Sequence, residues 1–147
     1  MRAQNYQAEI QEDTNQIYTI LKIGQNEHPL FLRIFEESRL LQLLIFIPCP
    51  VKKEIAPDMG RLLHLLNKEL DVPGFGMDET AQVVFYRLML PMINKKIEEE
   101  LLVTYLKTME QVCTIFSKPI EAVGFGHATF EEILKKAMEM EQQANPS

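Results

Sequence analysis

The apolar positions of this chain fall into two periods. Residues 17–23 (Ile-Tyr-Thr-Ile-Leu-Lys-Ile) are rich in β-branched and aromatic types and stop at Gly24, which predicts a strand. A helix running on from Tyr6 through Leu21 fits the same positions in part and stays open as the alternative. A turn over 24–29 leads to a second strand over 30–37, a tight turn at Ser38-Arg39 and a third strand over 40–47. Pro48 and Pro50 close the third strand, because proline cannot continue a ladder. Such short connections predict an antiparallel meander.

The period then changes. Pro57 suits a first helical turn, and Met59, Leu62, Leu63, Leu66 and Leu70 lie on one helical face. Pro73-Gly74 ends that helix. Residues 74–78 predict a short strand or turn, with a bend near Glu79-Thr80 and a strand over 82–92. Residues 97–116 predict a long helix whose first turn holds Glu98, Glu99 and Glu100, where the helix dipole favours negative charge. Lys118-Pro119 is its expected end. A linker over 120–127 leads to Thr129-Phe-Glu-Glu132, a capping box that opens a last helix. Residues 1–16 are polar and weakly patterned, and read as a short helix or an arm.

Strands and helices do not alternate singly, so the fold class is α+β. The expectation is an antiparallel sheet of about five strands: a three-strand meander, a helix, then a two-strand hairpin. It is packed with a long helix and an extra C-terminal helix. Residues 1–147 read as a single domain, with 1–16 an N-terminal short helix or arm, 17–116 the α+β core, and 120–147 the linker and C-terminal helix.

Composition narrows the function. Hydrophobic residues at 46% and charged residues at 24% suit an ordinary packed core. A net charge of −6, with lysines and arginines scattered, argues against nucleic acid as a partner. The most apolar run, 40–47, is too short for a membrane span, which needs about 20 residues. Cys49 and Cys113 form neither a disulfide framework nor a Cys-x-x-Cys site, which suits reduced thiols in the cytoplasm. His28, His64 and His127 lack metal-ligand spacing. Ser38 and Ser117 lie in no nucleophile elbow. Gly74-Phe-Gly76 follows a helix rather than opening one, and Gly124-Phe-Gly126 lacks a preceding strand, so neither reads as a phosphate loop. The expectation is no catalytic residue, no metal and no cofactor. For an enzyme of unrecognised type, His64 beside Asp78 or Glu79 is the first pairing to inspect.

One feature exceeds this bland picture. Strand side chains alternate between faces. Leu41, Leu43, Ile45 and Ile47 oppose Leu40, Leu44 and Phe46; Leu30, Leu32 and Ile34 oppose Phe31 and Phe35. Val84, Tyr86, Leu88 and Leu90 oppose Val83, Phe85 and Met89, which share their face with Arg87. An antiparallel sheet with helices on one side ordinarily has one polar face; here both are apolar. Either the C-terminal helix covers the second face, or a second molecule does. The expected partner or dimer interface is Phe31, Phe35, Leu40, Leu44, Phe46, Val84, Tyr86 and Leu88.

The stretch Leu62-Leu-His-Leu-Leu-Asn67-Lys-Glu-Leu-Asp-Val-Pro73-Gly-Phe-Gly-Met-Asp78-Glu79, followed by Val83-Val-Phe-Tyr-Arg-Leu-Met-Leu-Pro91, resembles the YbjN-like proteins, which share the fold of type III secretion chaperones. The likeness runs over about 17–116 and includes the leucine-rich helix ending in Leu-Asn-(basic), the acidic bend and the apolar strand before a long helix. It implies an α+β fold, a homodimer, and a chaperone-like or regulatory protein-binding role. It transfers no catalytic residue. A structural or assembly subunit of a larger complex is the alternative reading.

Overall fold

A computed structural model describes residues 8–11, 16–35, 39–94 and 96–144. Strand β1 is Ala8–Gln11, β2 Gln16–Ile23, β3 Asn26–Phe35 and β4 Leu40–Ile47. Helix α1 (Ala56–Glu69) precedes β5 (Phe75–Asp78) and β6 (Val83–Pro91); α2 (Glu99–Gly124) and α3 (Phe130–Ala144) follow. The six strands form one sheet in the order β1-β2-β3-β4-β6-β5, every neighbour antiparallel. The fold is α+β, as the patterning predicts.

Three elements differ from the sequence-based expectation. Within residues 1–16, Ala8–Gln11 is a strand rather than helix or arm, pairing Ala8 with Thr19 and Gln11 with Gln16, so the sheet has six strands rather than five. Residues 1–7 and 12–15 lie outside the described residues, and Gln16 opens β2. The second strand begins four residues early, at Asn26, and includes Pro29. That proline is tolerated because it pairs only with Ile20 of β2, while the pairing of β3 with β4 starts at Leu30. The long helix does not stop at Lys118-Pro119; Pro119 sits inside it. An interior proline costs about 3 kcal/mol, since it removes one backbone hydrogen bond. The next turn buries Ile120 at 0% and Val123 at 1% exposure. At about 1.5–3 kcal/mol per buried aliphatic side chain, that burial outweighs the loss. Thus the first residues of the expected linker, 120–127, are helix. Gly126, at φ +77°, then ends the turn, its N–H donating to the Val123 carbonyl at 3.1 Å.

Among the described residues, α1 and α2 pack against the sheet on one side, and α3 packs on α1. His28 of β3 meets Ser117 of α2, and Phe75 of β5 packs on Phe116 of α2. Asn67 of α1 reaches the edge strand: its Nδ2 donates to the Phe75 carbonyl at 2.9 Å, and its Oδ1 accepts from the N–H groups of Gly74 and Phe75. That side chain satisfies the outer rim of β5, where a further strand would otherwise pair, and gives the Leu-Asn motif a physical reason. α3 is pinned to α1 by Phe130 N–H donating to Asp58 Oδ2, by an Arg61–Glu131 ion pair at 2.9 Å, and by Arg61 lying over the Phe130 ring. Thr129 Oγ1 accepts from Glu132 N–H at 3.2 Å, the cap that the Thr-x-x-Glu pattern predicts.

Candidate protein-binding surface

The parity of the strands divides the sheet into two unlike faces. On the inner face Leu30, Leu43, Ile45, Val84 and Tyr86 are fully buried beneath the helices. On the other, Tyr18, Phe31, Phe35, Leu40, Leu44, Phe46 and Phe85 are half-buried, while Ile20 and Met89 are 40% and 43% exposed. α3 lies on α1, within the helical layer. Among the described residues, no helix covers this open face.

An aromatic band crosses it. Tyr18 of β2 lies 5.0 Å from Phe31 of β3, ring centroid to centroid, and Phe31 meets Phe46 of β4 edge-on at 5.8 Å. Phe46 stands opposite Phe85 of β6. Phe85 in turn lies over Gly76 of β5, where an added Cβ would come within 2.6 Å of the ring. The Gly76 of the Gly-Phe-Gly triplet is therefore a seat for an aromatic ring. Gly124 of the second triplet packs against the β4–α1 connection, where a Cβ would sit 2.9 Å from Cys49 Sγ. Two arginines flank the band: Arg33 lies 4.6 Å over the Phe35 ring and Arg87 lies 5.5 Å over Phe85.

Of the eight residues expected at an interface, the structure gathers Phe31, Phe35, Leu40, Leu44 and Phe46 on this open face. Val84, Tyr86 and Leu88 lie on the opposite, inner face and are buried. The reason is register. Phe46 pairs directly with Phe85, and directly paired residues share a face. The β6 residues beside the band are therefore Val83, Phe85, Arg87 and Met89. The sequence held the signal: a charged residue on a strand with one covered face must point outward, so Arg87 carries Phe85 and Met89 with it. Tyr86 instead donates its hydroxyl to the Val72 carbonyl at 2.6 Å, and burial pushes its phenol up to about 12.

The groups that chemistry would need are elsewhere and separate. His64 and Glu79 share an open depression of about 600 Å³ with Arg61 and Met77, but both are exposed, and no hydrogen bond joins them among the described residues. Asp78 Oδ1 accepts from Ala81 N–H and shapes the turn. Burial, assisted by the Glu121 carboxylate, pushes the Cys49 thiol up to about 11; burial alone pushes Cys113 up to about 12. Such thiols stay protonated and unreactive at neutral pH. Among the described residues, no three His, Cys, Asp or Glu side chains gather as a metal site, and no helix is long and apolar enough to cross a membrane.

Residues 1–122 match the family model YbjN, described as "Putative bacterial sensory transduction regulator". No curated protein and no solved structure matches the chain.

Proposed function

This chain belongs to the YbjN family, and on that premise we propose that it is a non-catalytic protein-binding module with a regulatory or chaperone-like role, whose binding surface is the open face of its sheet. The carrying observation is the aromatic band Tyr18–Phe31–Phe46–Phe85, left without a covering helix among the described residues. Aromatic and arginine side chains are the types enriched at the energetic centres of interfaces. A contiguous apolar face that water still reaches in part, with Ile20 and Met89 exposed beside the band, is the kind of surface that supports an interaction site.

The charge of the face suggests the partner. Arg33 and Arg87 stand within it, while Glu27 and Asp78 lie toward strand ends. An apolar segment bearing acidic residues complements that pattern. The homodimer implied by the family resemblance uses the same apolar area, but stacking two copies face to face brings four arginines together. We therefore place a different protein on this face ahead of a second copy.

Two variants test the reading on the native complex, with its mass measured by light scattering. Phe46→Asp puts a charge in the band, and Arg87→Glu reverses the charge while leaving the fold untouched. Both should release the partner, with Arg87→Glu weakening binding about tenfold or more. Retention of a full-mass complex by both variants refutes the assignment. A complex that proves to be two copies of this chain, lost in Arg87→Glu, overturns the choice of partner.

A further inference from the structure

A second apolar surface lies on the far side of the molecule and is independent of the reading above. α1, α2 and α3 flank an open cleft of about 1110 Å³. The polar contacts that fasten α3 lie at its start, at Phe130 and the Arg61–Glu131 pair. Ile133 and Leu134 still pack on the core, but one turn later Met138 and Met140 stand 54% and 62% exposed. The cleft opens where the helix leaves the body. Its volume is at or above the range of roughly 300–1,000 Å³ that holds a small-molecule ligand. The third wall comes from residues beyond 122, outside the stretch that matches the family model.

The lining is chemically sorted. Leu66, Phe116, Pro119, Ile133 and Leu134 line the walls, with no histidine, serine or threonine among the lining residues. The charged residues that line it are Lys68, Lys118 and Lys136, all exposed, against Glu69. A net positive mouth on a chain of net charge −6 is a local inversion of sign. An aliphatic cleft edged by ammonium groups complements a molecule with an acyl chain and one anionic head. It offers few polar groups to a sugar, a nucleotide or an extended peptide. We propose that this cleft binds a long-chain carboxylate of the fatty-acid class, with the chain between α2 and α3 and the carboxylate among Lys68, Lys118 and Lys136.

The experiment titrates the full chain with cis-parinaric acid, whose fluorescence rises on transfer to an apolar site. Saturable binding at one molecule per chain is expected, with displacement by oleate. Ala137→Trp, at an exposed α3 position lining the cleft, should fill it and weaken binding at least tenfold without lowering the melting temperature. Lys118→Glu with Lys136→Glu should weaken oleate about tenfold and leave the uncharged oleyl alcohol within about twofold. Arg87→Glu, on the opposite side of the molecule, should change neither. No saturable binding, or binding indifferent to Ala137→Trp, overturns the proposal. Equal loss of oleate and oleyl alcohol in the lysine variant overturns the placement of the carboxylate.

Discussion

The two faces of the sheet are built from the same kinds of side chain and differ in what covers them. Leu43 and Leu44 are neighbours on β4. Leu43 is fully buried beneath the helices; Leu44 is half-buried on the open side. Inner positions pack against helical side chains of the same chain. Among the described residues, outer positions pack against one another across strands, in ring contacts of 5.0 and 5.8 Å, and against the flanking arginines. The lesson is that apolar character alone does not separate a covered face from an open one. Strand parity, fixed by register, does.

The largest contrast is expected at that adjacent pair. Leu43→Ala removes a fully buried side chain and leaves a cavity, costing about 2–5 kcal/mol. Leu44→Ala removes the same atoms from a surface that water already reaches in part, costing about 1 kcal/mol or less. Denaturant unfolding measures both, and equal losses would mean that the two faces are equally covered.

The glycines sharpen the same contrast. At Gly124 an added methyl meets Cys49 Sγ at 2.9 Å and the Pro50 carbonyl at 3.2 Å, inside a tight helix contact. Gly124→Ala should cost about 1–3 kcal/mol. At Gly76 the three atoms nearest the methyl all belong to the Phe85 ring, the far end of a side chain that can swing toward the open side. Gly76→Ala should cost under about 1 kcal/mol and should instead disturb the aromatic band. A greater loss of stability at Gly76 than at Gly124, by thermal unfolding, would show that Phe85 is held as firmly as a core ring.

The smallest effect concerns pH and belongs to the inner face alone. His28 is fully buried, with Nε2 3.2 Å from Ser117 Oγ. Burial holds its ring below the ordinary histidine value, opposed by a hydrogen bond with the Asn26 backbone. Below about pH 6.5 the unfolded chain takes up a proton that the folded chain resists. Stability is therefore retained above about pH 6.5 and falls as pH drops, by at most about 1.4 kcal/mol per pH unit until the folded ring protonates. Glu121 acts with the opposite sign: burial raises its carboxyl, so its contribution is present at low pH and lost as pH rises through the folded value. Melting curves between pH 7.5 and 5.5 should show the decline, and His28→Leu should flatten it. A wild-type chain whose stability is level across that range would contradict this assignment.

The elements were largely legible in the sequence, and the faces were not. The third strand, 40–47, matches β4 at both ends, because prolines and a two-residue period bound it. The cap at Thr129 is local and was equally plain. Pro119 misled because the buried turn that outweighs it, Ile120 and Val123, depends on tertiary contacts that no local pattern displays. Tyr86 and Phe85 are both aromatic on a strand apolar on both sides, and their separation needs the pairing of Phe46 with Phe85. Arg87 was the one local clue to that parity. The cleft beside α3 follows from where a helix departs from the body, which periodicity does not encode.

The most direct measurement places a photo-reactive phenylalanine analogue at Phe46 on the open face and, in a second chain, at Thr104 on the exposed side of α2, with both irradiated in native cells. Adducts of one discrete mass at position 46, and none at position 104, are the expected result. The same adduct from both positions, or from position 104 alone, would contradict the assignment of the open sheet face as the protein-binding surface.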